Sequence, residues 1–169
     1  GRPETFSEAG IYSGHPKGFG FVAIEGREQD VFVPREKTKG AMHGDKVLVV
    51  IEQESDGGRR AEGSIVRILE HANQELVGLY EKNGGFGFVI PDNPRISRDI
   101  FIPQGCDAGA VTGHKVIVKI KDYGNSPDKK PEGVITSILG HMNDPGVDIL
   151  SIVKAYGLPE EFPPEVMAQ

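Results

Sequence analysis

The sequence predicts an all-β chain of two small five-stranded barrels in tandem, followed by a short helical segment. Three observations lead there. Glycine supplies 23 of 169 residues and proline 12, so turns are frequent and long helices are excluded. Residues with strand preference gather in runs of five to nine, separated by Gly, Pro, Asn or Asp. The chain also repeats itself. Gly18-Phe19-Gly20-Phe21-Val22 returns 67 residues later as Gly85-Phe86-Gly87-Phe88-Val89, and Asp30-Val31-Phe32-Val33-Pro34 returns 69 later as Asp99-Ile100-Phe101-Ile102-Pro103. Gly10-Ile11-Tyr12 matches Gly78-Leu79-Tyr80, Gly44-Asp45-Lys46-Val47 matches Gly113-His114-Lys115-Val116, and Glu62-Gly63-Ser64-Ile65 matches Glu132-Gly133-Val134-Ile135. Five blocks in one order are a tandem duplication.

In the first copy the strands fall at about 10–14, 19–25, 30–34, 46–52 and 61–69, with the charged stretch 53–60 as a surface hairpin loop. Five strands are too few for two well-filled sheets, and closure removes exposed edges, so each copy reads as an OB-type barrel. The expected divisions are a linker at 1–9, barrels at 10–72 and 73–140, and the start of another domain at 141–169. In that last part Asp144 precedes Pro145, and Val147, Leu150 and Val153 fall on one face before Gly157, which predicts an N-capped helix.

The single cysteine, Cys106, can form no disulfide within the chain and lacks partners for a thiolate metal site, which fits a reducing, cytoplasmic setting. No run approaches a membrane span, and no leader peptide is recognisable. Without an initiator Met, the chain reads as a piece of something longer. The net charge of −6 argues at first against a polyanionic partner. It is concentrated, however: residues 140–169 carry 1 basic against 5 acidic side chains, while residues 1–72 carry 10 against 12 and residues 73–139 carry 8 against 8.

Strand alternation sends Phe19 and Phe21 to one face and Gly20, Val22 and Ile24 to the other, while Phe32 opposes Val31 and Val33. A barrel has one interior. The aliphatic set fills it, which leaves Phe19, Phe21 and Phe32 outside and, in the second copy, Phe86, Phe88 and Phe101. Clustered exposed rings need a partner, and unpaired bases supply one, since every base has a face that stacks. Lys17, Arg35, Lys37 and Lys39 surround the first trio and Lys82, Arg95 and Arg98 the second. Gly18, Gly20, Gly85 and Gly87 are expected to keep the backbone bare for a nucleotide. An opposite reading buries the same rings against another protein surface, as in a structural or docking module.

Lys17-Gly18-Phe19-Gly20-Phe21-Val22 followed by Val31-Phe32-Val33 resembles the two ribonucleoprotein motifs of cold-shock domains, with Tyr12 where that family carries a stacking Trp. The resemblance implies single-strand binding by Tyr12, Lys17, Phe19, Phe21 and Phe32. Together with their neighbours and repeat equivalents, the candidate RNA-binding residues are these five plus His15, Arg35, Arg59, Arg60, Lys82, Phe86, Phe88 and Phe101. Pro34 and Arg35 depart from the His and Phe of cold-shock proteins, and Gly84 replaces the Lys in the second copy, so the second platform is expected to bind less well.

Two such units, with His43-Gly44-Asp45-Lys46-Val47, Gly58-Arg59-Arg60-Ala61-Glu62-Gly63 and Ile138-Leu139-Gly140, resemble the N-terminal cold-shock pair of ribonuclease R-type enzymes in the ribonuclease II family. That resemblance implies a monomeric, cytoplasmic, processive 3′-to-5′ exoribonuclease. The resemblance implies that the clustered catalytic aspartates, with their Mg2+, lie beyond the end of this chain, and that 141–169 is the truncated start of the catalytic (RNB-type) domain. A free-standing cold-shock RNA chaperone is the rival. No catalytic or metal-binding residue is expected here: His15, His43, His71, His114 and His141 are scattered, Asp144 and Asp148 read as a helix cap and a solvated side chain, and no phosphate loop or nucleophile elbow occurs. His71 and His141, at equal repeat positions, read as connector residues.

Overall fold

The structure, a computed structural model, describes residues 7–144 of the chain. The expected C-terminal helix and Asp148 lie outside the described residues. Strands β1 (Ser7–Gly14), β2 (Gly20–Ala23), β3 (Val31–Val33), β4 (Lys46–Gln53) and β5 (Glu62–Glu70) close into one barrel in the order β1-β2-β3-β5-β4. Strands β6 (Glu75–Asn83), β7 (Phe86–Pro91), β8 (Ile100–Ile102), β9 (His114–Asp122) and β10 (Glu132–His141) close into a second with the same connectivity. The only helix among the described residues is a 3-10 turn at Arg35–Lys37. The all-β, twin-barrel expectation holds.

Each barrel closes through one parallel bridge, Phe32 with Glu62 and Phe101 with Glu132; the other pairings are antiparallel. The first strand begins at Ser7, inside the stretch expected to be linker. Ser7, Glu8 and Ala9 pair with Val50, Val49 and Leu48, because the eight-residue β4 offers ladder partners beyond the repeated Gly10-Ile11-Tyr12 block.

Alternation fills the interiors as the pattern demands. Val22, Val31, Val33, Val47 and Val49 are fully buried in the first barrel, and Val89, Ile100, Ile102, Val116 and Val118 in the second. One residue overturns its expected place: Tyr12 is only 3% exposed and belongs to the core, as does its equivalent Tyr80 at 1%. The glycines explain how so small a barrel admits a large ring. A Cβ added at Gly20 would lie 2.4 Å from the Tyr12 ring, and one at Gly87 would lie 2.5 Å from Tyr80. Gly20 and Gly87 therefore make room for a tyrosine beneath the sheet, and the expectation that they clear space for a nucleotide is corrected. Gly20→Ala and Gly87→Ala are each expected to destabilise their barrel by about 1–3 kcal/mol through overpacking, read as a lower urea midpoint. Gly85→Ala, whose Cβ meets nothing nearer than Gln104 Oε1 at 3.4 Å, is the control and should stay within about 0.5 kcal/mol.

A buried carboxylate locks the turn before β4. Asp45 is fully buried; its Oδ2 accepts from Met42 N–H at 3.0 Å and its Oδ1 from Ala72 N–H at 2.9 Å, with His71 Nδ1 3.3 Å from Oδ2. The turn is also bonded to β1, since Tyr12 N–H donates to the Asp45 carbonyl and Gly44 N–H to that of Tyr12. In the second barrel Gly113 N–H donates likewise to Tyr80, but the residue equivalent to Asp45 is His114, whose Nδ1 accepts from Val111 N–H at 2.9 Å. One acceptor replaces another at the same point of the same turn. His71, expected as a connector residue, meets Asp45, whereas His141 is the last residue of β10, its ring 5.6 Å from that of His114. Asp144 accepts from His141 N–H at 2.9 Å.

Candidate nucleic-acid interface

Neighbouring strands β2 and β3 place Phe21 directly opposite Phe32, and Phe19 stands just ahead of β2 on the same face. Their interior neighbours hold the aliphatic core, so none of the three rings can turn inward. The centroids are 5.9 Å apart for Phe19 and Phe21, 5.5 Å for Phe19 and Phe32, and 5.7 Å for Phe21 and Phe32, at edge-on or tilted angles typical of aromatic clusters. All three are half-buried. The second barrel reproduces the trio: Phe86 to Phe88 at 5.7 Å, Phe86 to Phe101 at 5.6 Å and Phe88 to Phe101 at 5.7 Å, with Phe86 39% exposed.

His15 extends the first platform. Its imidazole lies 4.1 Å from Phe19 at an interplanar angle of 18°, a stacked pair. The longer β1–β2 turn holds it there: His15 N–H donates to Phe19 O, Gly18 N–H donates to His15 O, and Lys17 N–H donates to His15 Nδ1. The second barrel closes the same hairpin more tightly, with Asn83 paired to Phe86, and has no counterpart to that ring.

The basic residues divide into two groups. Arg35 is 3.0 Å from the Asp128 carboxylate and donates to Pro127 O, both residues of the same compact unit. Lys37 sits 2.6 Å from Glu52, and this hydrogen bond raises the ammonium pKa above its ordinary value and lowers that of the carboxyl. Lys82 faces Asp107 at 3.4 Å, and Arg98 donates to Tyr123 O. Lys17 is exposed beside the first platform. Arg60 stands apart from these pairs, its guanidinium carbon 5.2 Å from the Phe21 centroid and Nη1 donating to Asp30 O at 3.2 Å. Its neighbour Arg59 instead lines a polar groove with Arg27, Ser55 and Asp56, away from the rings. Lys130 was missed in the sequence. It lies 5.6 Å over the Phe88 ring, and the signal was its repeat position, two residues before Glu132 as Arg60 is before Glu62.

The structure thus brings together His15, Phe19, Phe21, Phe32 and Arg60 in one unit and Phe86, Phe88, Phe101 and Lys130 in the other. It sends Tyr12 to the core. Among the described residues no group of three or more His, Cys, Asp or Glu side chains could hold a metal ion, and no helix is long and apolar enough to cross a membrane.

Comparison with known proteins agrees with this geometry. Residues 10–68 match the family model of the ribonuclease B OB domain and residues 88–163 that of the cold shock domain. Ribonuclease R of Thermotoga maritima is 41% identical over 155 residues, which cover 89% of this chain and 21% of the relative. Ribonuclease R of Escherichia coli is 34% identical, covering 95% of the chain and 19% of the relative. The chain therefore spans about a fifth of the length of the relatives it matches. In fold it resembles a Mycoplasma genitalium RNase R solved in complex with ribose methylated single-stranded RNA, with TM-score 0.71 and 21% identity over 94% of this chain and 25% of that one. It likewise resembles yeast Ssd1, a pseudonuclease, with TM-score 0.72 and 17% identity over 92% and 25%. Twin barrels, an OB-domain match, a cold-shock-domain match and identities held across nearly the whole chain make it similar to about a fifth of ribonuclease R.

Proposed function

We propose that the chain is the RNA-binding part of a ribonuclease R-like 3′-to-5′ exoribonuclease. Its phenylalanine platforms stack unpaired bases and lead a single strand toward a catalytic domain in the rest of the longer protein. The observation that carries this reading is the duplicated trio, half-exposed on the face of β2 and β3 and again on that of β7 and β8, since large rings left in water on two equivalent faces need a partner with a flat apolar surface. Base stacking supplies about 1–3 kcal/mol per ring without demanding a particular base, which a processive enzyme needs. The similarity to ribonuclease R sequences and the RNA held by the Mycoplasma genitalium neighbour support the same reading. Hydrolysis to 5′-nucleotides with Mg2+ is assigned to that catalytic domain, and the parent enzyme is read as a cytoplasmic monomer.

Fluorescence anisotropy with a labelled single-stranded oligonucleotide tests it. Affinity is expected to fall as salt rises, with a log–log slope of about −0.7 for each phosphate neutralised, and a duplex of equal length should compete poorly. Binding that ignores salt, or that prefers the duplex, would refute the reading.

A further inference from the structure

We infer that Arg60 and Lys130 are the phosphate-contacting residues of the two platforms, each held at its post by the ring beneath it, so that Phe21 and Phe88 serve as pedestals and the remaining rings take the bases. The inference rests on the RNA-binding reading above and assigns roles within that site.

The geometry is the same twice. In each barrel a cation sits over the middle ring of the trio, at 5.2 Å from the Phe21 centroid and 5.6 Å from that of Phe88. The two residues differ in chemistry, guanidinium against ammonium, yet both stand two positions before the glutamate of the parallel bridge. What the duplication retained is a positive charge at that point. The backbone explains the placement, since Phe32 N–H donates to Ala61 O and Phe101 N–H to Pro131 O, which pins the residue before each acceptor beside the platform.

A cation over a ring covers one face of it. Phe21 and Phe88 have given up that face, whereas Phe32, Phe86 and Phe101 have no cation over them among the described contacts, and Phe19 presents its stack with His15. The cations keep donors to spare. A guanidinium has five N–H groups, of which Arg60 spends one on Asp30 O, and an ammonium has three. Neither Arg60 nor Lys130 has a carboxylate within ion-pair distance among the described residues, unlike Arg35, Lys37 and Lys82, whose charge is already answered by Asp128, Glu52 and Asp107. The backbone of a single strand runs beside its stacked bases, so charges at the platform edge meet phosphates.

The test is the salt dependence of single-stranded RNA binding by the full chain and its Arg60→Ala, Lys130→Ala, Arg60→Lys, Phe19→Ala and Phe32→Ala variants, each checked for folding by circular dichroism. Arg60→Ala and Lys130→Ala are expected to flatten the log–log salt slope by about 0.7 each, Arg60→Lys to restore it, and the two Phe variants to lose affinity at an unchanged slope. If the Phe variants lose affinity while both alanine variants keep the parental slope, the phosphate role is overturned and the stacking reading stands. Affinity lost on Arg60→Ala without a change of slope would also overturn it, since the side chain would then act only by supporting Phe21. If neither Phe variant loses affinity, the stacking reading itself falls.

Discussion

Phe19→Ala combined with Phe32→Ala is expected to weaken single-stranded RNA binding by on the order of 100-fold while leaving the first barrel folded. Each stack contributes about 1–3 kcal/mol, a factor of about 5 to 150, and the two rings lie 5.5 Å apart on one surface, close enough to engage adjacent bases. Folding survives because the interior beneath them is Val22, Val31 and Val33, none of which the double variant touches. The matched change in the second barrel, Phe86→Ala with Phe101→Ala, is expected to cost less, because that platform lacks the His15 ring and the Lys17 of the longer turn. Anisotropy on both double variants checks the ranking. A first-platform variant that binds as well as the parent would remove stacking as the source of affinity.

Asp45→Ala is expected to destabilise the first barrel by about 2–4 kcal/mol, a large share of what a domain this size has. The carboxylate is fully buried and accepts from Met42 and Ala72 N–H groups, so truncation leaves the buried Met42 donor without a partner and opens a void beside His71. Urea denaturation followed by circular dichroism reads the loss. The same group gives stability a pH dependence whose sign is set by its surroundings. Burial raises the carboxyl pKa above its ordinary value of about 3.9, against the pull of the two backbone donors and His71. Between the ordinary value and the raised one the native state holds more protons than the unfolded state, so this group's contribution falls as pH rises through that window. Relative to Asp45→Asn, the parent chain should therefore lose stability on going up from about pH 4; a relative gain would contradict the assignment.

The barrels and their Phe faces could be read from the sequence because alternation is a strict period of two and each interior accepts one of two sets. Val22, Val31 and Val33 against Phe19, Phe21 and Phe32 leave no third arrangement. Tyr12 escaped that logic. It was assigned by its likeness to a stacking position in another family, although it shares a strand face with Gly10 and Gly14, and its ring needs the space that Gly20 leaves open. The signal was present in duplicate, as Tyr12 with Gly20 and Tyr80 with Gly87. Lys130 was hidden differently: Lys129-Lys130-Pro131 looks like a solvated run, and only the pairing of Phe101 with Glu132 carries it to the platform. Ion pairing was beyond reach as well, since Arg35 and Asp128 are far apart in the chain and only the folded structure brings the two charges within 3.0 Å.

The Phe-Gly-Phe tripeptide that opens into β2 and its copy in β7 serve two masters. Its phenylalanines answer to whatever arrives from solvent, and its glycine answers to the tyrosine on the far side of the same strand. Evolution acting on these neighbouring codons is therefore filtered by ligand choice at one and by foldability at the next. A drift toward a new partner could rewrite residues 19 and 21 while residue 20 stayed frozen.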